Sequence, residues 1–401
     1  MIIVAPSDGT EESVTQQETL LPFADETIRF ISKLSETILQ DHGYRKYPDL
    51  VALAFWFRPA QLTKLKSEFE RQRANRIWLS RGVTFHIAPS NVDTLFVYSL
   101  FISMLAGNIN IVRLSERDTE QQKILMDLLS KLLQDPAHQE IKRRLLIVRY
   151  DHDDAITSRL SSHCDVRVLW GGDAAITHLR SIPIPPSAME LTFPDRFSFC
   201  VLNAEAILSE QRLDQIAQRF YIDAYGFDQM ACSSTKLVAW VGSEDSTSPA
   251  RSRFWTAVDK VIADRDYPLA ASQAMDKLTA EYAIAIEASK IQIEKTNSNK
   301  ICRVYFEDPN EVNRDLHCGS GLFYECRFGS LNDLKPFLSR KDQTITSYGI
   351  STEEWKSFLR MQARGIHRIV PIGKALEFSA VWDGFDLLRS FCREVEFVEP
   401  S

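Results

Sequence analysis

The chain has 401 residues, 44% of them hydrophobic and 25% charged, with a formal net charge of −7. That length calls for two or three domains, and the acidic balance gives no broad footprint for nucleic acid or an anionic membrane. No apolar run reaches membrane-span length: the longest, "TLFVYSLFISMLAG" at 94–107, is as long as a buried core helix. The start "MIIVAPSDGTEES" lacks the basic and apolar regions of a secretory signal, so a cytoplasmic protein is expected.

In chain order, residues 1–20 are polar and read as a loose arm. Residues 21–80 read as helices, with Phe23, Ile28, Ile31 and Leu34 at helical spacing. "VTFHIAP" (83–89) predicts a strand. Asp93 or Thr94 then caps an apolar helix over 95–106, and "INIVRL" (109–114) predicts the next strand. This βαβ unit implies a parallel sheet buried on both faces. A helix at 119–135, a strand at 144–150, a strand–Gly-Gly–helix at 165–181 and a strand at 197–203 extend it into a doubly wound α/β domain over 83–203.

From about 209 a second unit begins with the amphipathic helix "RLDQIAQRFYIDAYGF", then a turn with Cys232 and the strand "KLVAWVG" (236–242). "DSTSPARS" (245–252) reads as a surface loop, 253–288 as a long helical stretch and 343–350 as a last strand. The expected domains are 1–208, binding cofactor; 209–350, carrying the catalytic cysteine; and 351–401, returning to the first domain or to a partner subunit.

Seven cysteines at irregular spacing, with no CxxC, fit neither a disulfide framework nor a zinc site. The eight histidines form no metal pattern, and HExxH, GxSxG and GxxxxGK[ST] are all absent. Most of the cysteines are expected to be buried thiols.

Cys232, in "FDQMACSSTK", stands apart. Its small neighbours leave room for an extended substrate and for backbone N–H groups aimed at an oxyanion; a packed thiol at a helix–strand junction is the other reading. Asn91, at the end of a parallel strand, can donate to an oxyanion or simply make a turn. Gly171 and Gly172 permit close backbone approach at a helix N-terminus, or form a plain βα turn. Arg113, Ser115 and Arg117 can meet phosphate and ribose oxygens, with arginine suited to the 2′-phosphate of NADP, or form a solvated loop. Glu190, in an apolar stretch, suits general acid–base work if buried and a salt bridge if not.

Taken in order, "FHIAPSNVDTLFVYSLFISMLAGNINIVRLS", "VLWGGDAAI", "LTFPDRFSF", "DQMACSST", "TITSYGI" and "RIVPIGKALEFSAVWDG" resemble the LuxC family, the long-chain acyl-CoA reductases of bacterial bioluminescence. That family is a branch of the aldehyde dehydrogenase superfamily. The resemblance covers roughly residues 80–390. It implies an aldehyde dehydrogenase-like α/β fold, with a doubly wound cofactor domain and a second α/β catalytic domain. The implied reaction is NADPH-dependent reduction of a fatty acyl thioester, on CoA or a carrier protein, to the aldehyde.

By similarity Cys232 forms the acyl-thioester and Asn91 supplies the oxyanion amide. Arg113 falls where a lysine usually meets the adenosine ribose, and Gly171–Gly172 form the turn facing the cofactor. Glu190 falls near the general-base glutamate, but "LTF" replaces the Gly-Gly that usually follows it. Glu325 matches a glutamate that binds the nicotinamide ribose. The resemblance also implies a homo-oligomer, no metal and an acyltransferase or acyl-protein synthetase partner. A cysteine acyltransferase or thioesterase, and a non-catalytic scaffold subunit, are the competing readings. With no basic residue beside it in sequence, Cys232 is expected to be activated by backbone dipoles and substrate geometry rather than by an adjacent histidine or lysine.

Overall fold

The structure is a computed structural model that describes residues 1–71, 76–88, 94–115, 119–296, 298–361 and 364–398. The chain divides into two compact units, Met1–Pro194 with Phe378–Ser401, and Asp195–Glu377.

The first unit contains strands β1 (Ile2–Ala5), β2 (Arg76–Ser80), β3 (Val83–Ile87), β4 (Ile109–Leu114), β5 (Leu145–Arg149), β6 (Val166–Trp170) and β7 (Met189–Phe193). Its main sheet has the order β1-β5-β4-β3-β6-β7. The pairs from β5 through to β7 are parallel, and β1 closes the edge antiparallel to β5. Side chains alternate between two cores. Val112, Leu114, Leu145 and Ile147 join the core that includes the helix Leu95–Leu105, while Ile109, Ile111, Leu146 and Val148 join the core that includes Leu160 and Ile176. A sheet covered on both faces is the doubly wound arrangement. Leu95–Leu105 is buried along its whole length, and two of its polar residues are bonded inside: Ser103 Oγ donates to Thr84 Oγ1 at 3.1 Å, and Ser99 Oγ lies 2.9 Å from His86 Nδ1.

The second unit contains β8 (Phe197–Asn203), β9 (Thr235–Val241), β10 (Ile291–Lys295), β11 (Cys302–Phe306), β12 (Leu322–Phe328), β13 (Asp342–Tyr348) and β14 (Arg368–Pro371). The order is β10-β11-β12-β9-β8-β13-β14, with only β10 antiparallel to its neighbour. Here too the faces alternate: Phe199, Val201, Leu237 and Ala239 bury on one side, and Cys200, Leu202, Val238 and Trp240 on the other. The short pair β15 (Val381–Trp382) and β16 (Phe385–Asp386) follows, and β17 (Cys392–Glu396) pairs antiparallel with β2 in the first unit.

Several expectations are corrected. The N-terminal arm is ordered: "IIVA" pairs with β5, and Thr10 caps the helix Glu11–Thr15 through Ser13 N. The stretch 197–203 does not belong to the first sheet. It pairs in parallel with β9 and β13, so the contact boundary falls at Pro194 rather than 208. The return to the first unit begins at Phe378 rather than 351. The stretch 245–252 is helical, not a loop, because Ser243 accepts Ser246 N and Glu244 and Asp245 occupy the first turn of Glu244–Asp264. The single helical stretch after it is two helices, the second being Ala271–Glu287. Among the described residues no helix is long and apolar enough to cross a membrane.

Candidate active site

Cys232 follows a tightly specified turn of the second unit. The helix Leu213–Tyr225 stops at Gly226, and the next three residues, Phe227, Asp228 and Gln229, have φ of 56°, 52° and 62°. Three consecutive side-chain-bearing residues in the left-handed region are costly and persist only where surroundings fix them. Gln229 does much of this. It is fully buried; its Nε2 donates to Thr235 O at 2.9 Å and Leu322 O at 3.0 Å, and its Oε1 accepts Gly321 N at 2.6 Å. Asp228 O accepts Ser320 N at 2.9 Å, and Asp228 Oδ1 accepts the Tyr267 hydroxyl at 2.6 Å. Gly319, at φ 79°, has no room for a side chain: a Cβ there would lie 2.6 Å from Asp228 O.

Beyond this turn Cys232 is half-buried, at the start of the chain's entry into β9. Its carbonyl accepts Ser198 Oγ at 2.7 Å, and the same hydroxyl accepts Thr344 N at 3.1 Å. The cysteine loop is therefore pinned to β8 and β13. Five of the other thiols are less suited to nucleophilic work. Burial pushes Cys164 up to about 12 and Cys318 up to about 11, and raises Cys200, Cys302 and Cys326 as well.

Lys236, in β9, has its Nζ 3.3 Å from Arg196 O and 5.8 Å from the centre of the Phe197 ring. Burial pulls its ammonium down from the ordinary lysine range, while Cys232 and Asp195 act on it in the opposite sense. His317 is not a base for the thiol. Its Nδ1 accepts Gly319 N at 3.2 Å, its Nε2 donates to Leu322 O at 2.8 Å, and burial pushes it down to about 3.

In the first unit, Asn91 and Arg117 lie outside the described residues. Arg113 and Ser115 stand at the carboxyl end of β4. Arg113 Nη2 donates to Tyr150 O at 3.2 Å, but its buried Nε and the buried Ser115 Oγ have no hydrogen-bond partner among the described residues. Gly171 and Gly172 link β6 to the helix Asp173–Ser181, with Gly172 at the N-cap. Among the described residues a Cβ on Gly171 would meet only Ala175 Cβ, at 3.7 Å, so their packing does not demand glycine. The strand order reverses at β3, between β4 and β6, the place where open α/β sheets receive ligands. Orphaned donors at one strand end and a helix N-terminus at another fit a phosphate-bearing dinucleotide.

Two expected site residues are committed elsewhere. Glu190, on edge strand β7, accepts Arg167 Nε at 2.7 Å and Arg180 Nε at 3.0 Å. With one oxygen bonded to Arg167 and the other to Arg180, Glu190 serves as counter-charge to the buried Arg167. Glu325, in β12, is fully buried. Its Oε2 accepts Trp240 Nε1 at 2.8 Å, Trp255 Nε1 at 2.9 Å and Arg251 Nε at 3.0 Å, and its Oε1 accepts Arg251 Nη2 at 2.9 Å. Both oxygens are engaged and the side chain is fully buried, away from any ribose. Conversely, sequence reasoning missed Gln229 and Ser198, which fix the cysteine turn and loop. The signal for Gln229 was "GFDQ", where a helix must end without a second glycine or an asparagine to take the left-handed positions.

Solved structures agree with this architecture. A NAD-dependent benzaldehyde dehydrogenase from Corynebacterium glutamicum superposes with a TM-score of 0.65 at 11% identity, over 96% of this chain and 84% of its own. A 1-pyrroline-5-carboxylate dehydrogenase from Thermus, solved with NAD, gives 0.65 at 12% identity, over 96% and 82%. The fold is thus that of the aldehyde dehydrogenases. Within it the chain belongs to the acyl-CoA reductase (LuxC) family, whose profile matches residues 23–394. A long-chain acyl-protein thioester reductase from Vibrio harveyi is 26% identical over 328 residues, which is 79% of this chain and 64% of the relative. One from Photorhabdus luminescens is 29% identical over 165 residues, 41% and 32% respectively. The matched parts of both relatives fall short of two thirds of their length.

Proposed function

We propose that this chain reduces a long-chain acyl thioester to the aldehyde through an acyl-Cys232 intermediate, with NADPH as reductant. The observation that carries the reading is the fixed turn presenting a half-buried Cys232 in an aldehyde dehydrogenase fold, in a chain of the LuxC family. The names of the relatives favour an acyl-protein thioester as the donor, with acyl-CoA as the simpler equivalent.

The thiolate of Cys232 attacks the thioester carbonyl carbon. A carbon–sulfur bond forms, charge moves to the carbonyl oxygen, and collapse expels the carrier thiolate, which takes up a proton. Asn91 is assigned the oxyanion amide on the strength of the resemblance. Bound NADPH would supply the hydride that converts the acyl group to the aldehyde, and expulsion of Cys232 as thiolate restores the enzyme. Arg113 and Ser115 would hold its phosphate and ribose oxygens, with the Gly171–Gly172 turn against the pyrophosphate. No water is activated in this cycle, so it has no need of a general-base carboxylate. That accords with Glu190 being held by Arg167 and Arg180.

The test is a panel of acyl-CoAs of rising chain length with NADPH or NADH, followed by cofactor absorbance and aldehyde capture. The reading expects NADPH consumption matched by aldehyde for long chains, and none of either with Cys232→Ala. Release of free acid without cofactor consumption would instead identify a thioesterase.

A further inference from the structure

We infer that Gln229 and Ser198 are positioning residues for Cys232. The carboxamide closes the loop around the cysteine and the hydroxyl fixes its crown, so together they set the rate at which the thiol is acylated. This rests on the reading of Cys232 as nucleophile. Gln229 and Thr235 flank Cys232 symmetrically in the sequence. Gln229 Nε2 donates to Thr235 O at 2.9 Å, so one side chain joins the two feet of the loop, with Cys232 at its midpoint. Inside the loop Ser234 N donates to Ala231 O at 3.0 Å, and at its crown Ser198 Oγ donates to the Cys232 carbonyl at 2.7 Å. The loop carrying the cysteine is thus held at its feet, across its middle and from β8.

The same carboxamide joins the loop to the rest of the unit. Gln229 Nε2 also donates to Leu322 O at 3.0 Å, and its Oε1 accepts Gly321 N at 2.6 Å. Thr235 and Leu322 are the first residues of β9 and β12, which are parallel neighbours, so Gln229 spans the entry of both strands. Two donated bonds and one accepted bond require an amide, since an ionised carboxylate and a thioether donate none. Asparagine tolerates the left-handed region better but is a methylene shorter. A glutamine held there at φ 62° shows that reach outweighs local preference. The facing segment is strained in the same way. Gly319, Ser320 and Gly321 have φ of 79°, 56° and 86°, and they are bonded to the left-handed Phe227–Gln229 turn: Ser320 N donates to Asp228 O at 2.9 Å, and Gly321 N to Gln229. Two such runs, locked to each other just ahead of the cysteine loop, are costly, and strain of this kind is retained where geometry serves function. A loop that only connected the helix Leu213–Tyr225 to β9 would need neither.

The experiment compares two reactions of Cys232 in the native full chain, in Gln229→Met and in Ser198→Ala. One is single-turnover acylation by a saturating long-chain acyl-CoA without cofactor; the other is alkylation by iodoacetamide. Both are followed on the Cys232 peptide by mass spectrometry, at a temperature where thermal unfolding shows each variant folded. Attack on a bound thioester needs the sulfur held in place against the carbonyl, whereas a small, freely diffusing alkylator does not. Gln229→Met should lower the acylation rate by roughly tenfold to a hundredfold and Ser198→Ala by about tenfold, while alkylation stays near the native rate in both. A lower melting temperature with native acylation would mean a purely structural role and overturns the inference. An equal fall in both reactions overturns it too, because the thiol itself would then have changed rather than its position. If Gln229→Met does not fold, Ser198→Ala decides: slowed acylation with native alkylation supports the inference, and native acylation overturns it. Failure of the nucleophile reading is distinct: the native chain would then form no acyl adduct on Cys232, and Cys232→Ala would retain acyl reduction.

Discussion

The carboxylates at Glu190 and Glu325 illustrate how a residue's neighbours decide its chemistry. Each is an acid in an apolar stretch, the sequence pattern of a tuned catalytic group, yet each is spent neutralising buried arginine. Arg167 has a side chain only 2% exposed, and Arg251 only 13%. Removing the partner of a buried charge costs about 3–5 kcal/mol. Glu325→Gln should therefore lower stability by an amount of that order in urea unfolding, and Glu190→Gln by somewhat less because its carboxylate is partly exposed. Glu190→Gln should keep acyl reductase activity when assayed well below its melting point. Loss of turnover with unchanged stability would restore it as a base. The setting of Cys232, a turn between a helix and a strand, was legible in the sequence because it is a local feature. The arginines that claim Glu190 and Glu325 lie 23, 10 and 74 residues away, and no local pattern reveals them.

Among the elements, the helix Leu213–Tyr225 sets the stage for the cysteine turn, and its last turn is tied to the chain after β14. Asp223 is fully buried and accepts Gly373 N at 2.5 Å and Ala375 N at 2.9 Å. Leu376 closes over Gly226, where a Cβ would come within 2.4 Å of it. Burial pushes the Asp223 carboxyl up to about 7, despite the two N–H donors and Arg368, which act to lower it. The folded state thus holds this proton where the unfolded chain, with a carboxyl near 4, does not. The associated stability is fully present below about pH 4 and is lost as the pH rises through about 7, at up to ~1.4 kcal/mol per unit. Urea unfolding of the native chain and Asp223→Asn at about pH 5 and about pH 8 should show a fall with rising pH that the variant lacks. Equal slopes would contradict the account. The amphipathic face of this helix was readable from its spacing. The tether was not, because it joins residues about 150 positions apart. Strand β8 was likewise read as a strand but assigned to the wrong sheet. Its apolar run suits either sheet, and only its pairing with β9 and β13 decides.

For the whole molecule, the chain carries the aldehyde dehydrogenase fold in 401 residues and the LuxC profile across most of them. The doubly wound unit was foreseeable from alternating strand and helix patterns. Its limits were not, since β7 and β17 are short and amphipathic, and one of them returns from the far end of the chain. If the first unit holds the cofactor as proposed, hydrogen exchange with saturating NADPH should slow at the end of β4, around Arg113 and Ser115, and at the Gly171–Gly172 turn. Protection confined to the second unit would relocate the cofactor site.

The most direct test of the central claim is to trap the acyl-enzyme. The full chain is mixed with a long-chain acyl-CoA without cofactor, and the protein is digested and analysed by mass spectrometry. The account predicts an acyl adduct on Cys232 that is absent in Cys232→Ala and is discharged as aldehyde when NADPH is added. An adduct on another residue, or aldehyde formed with NADPH by the Cys232→Ala variant, would contradict it.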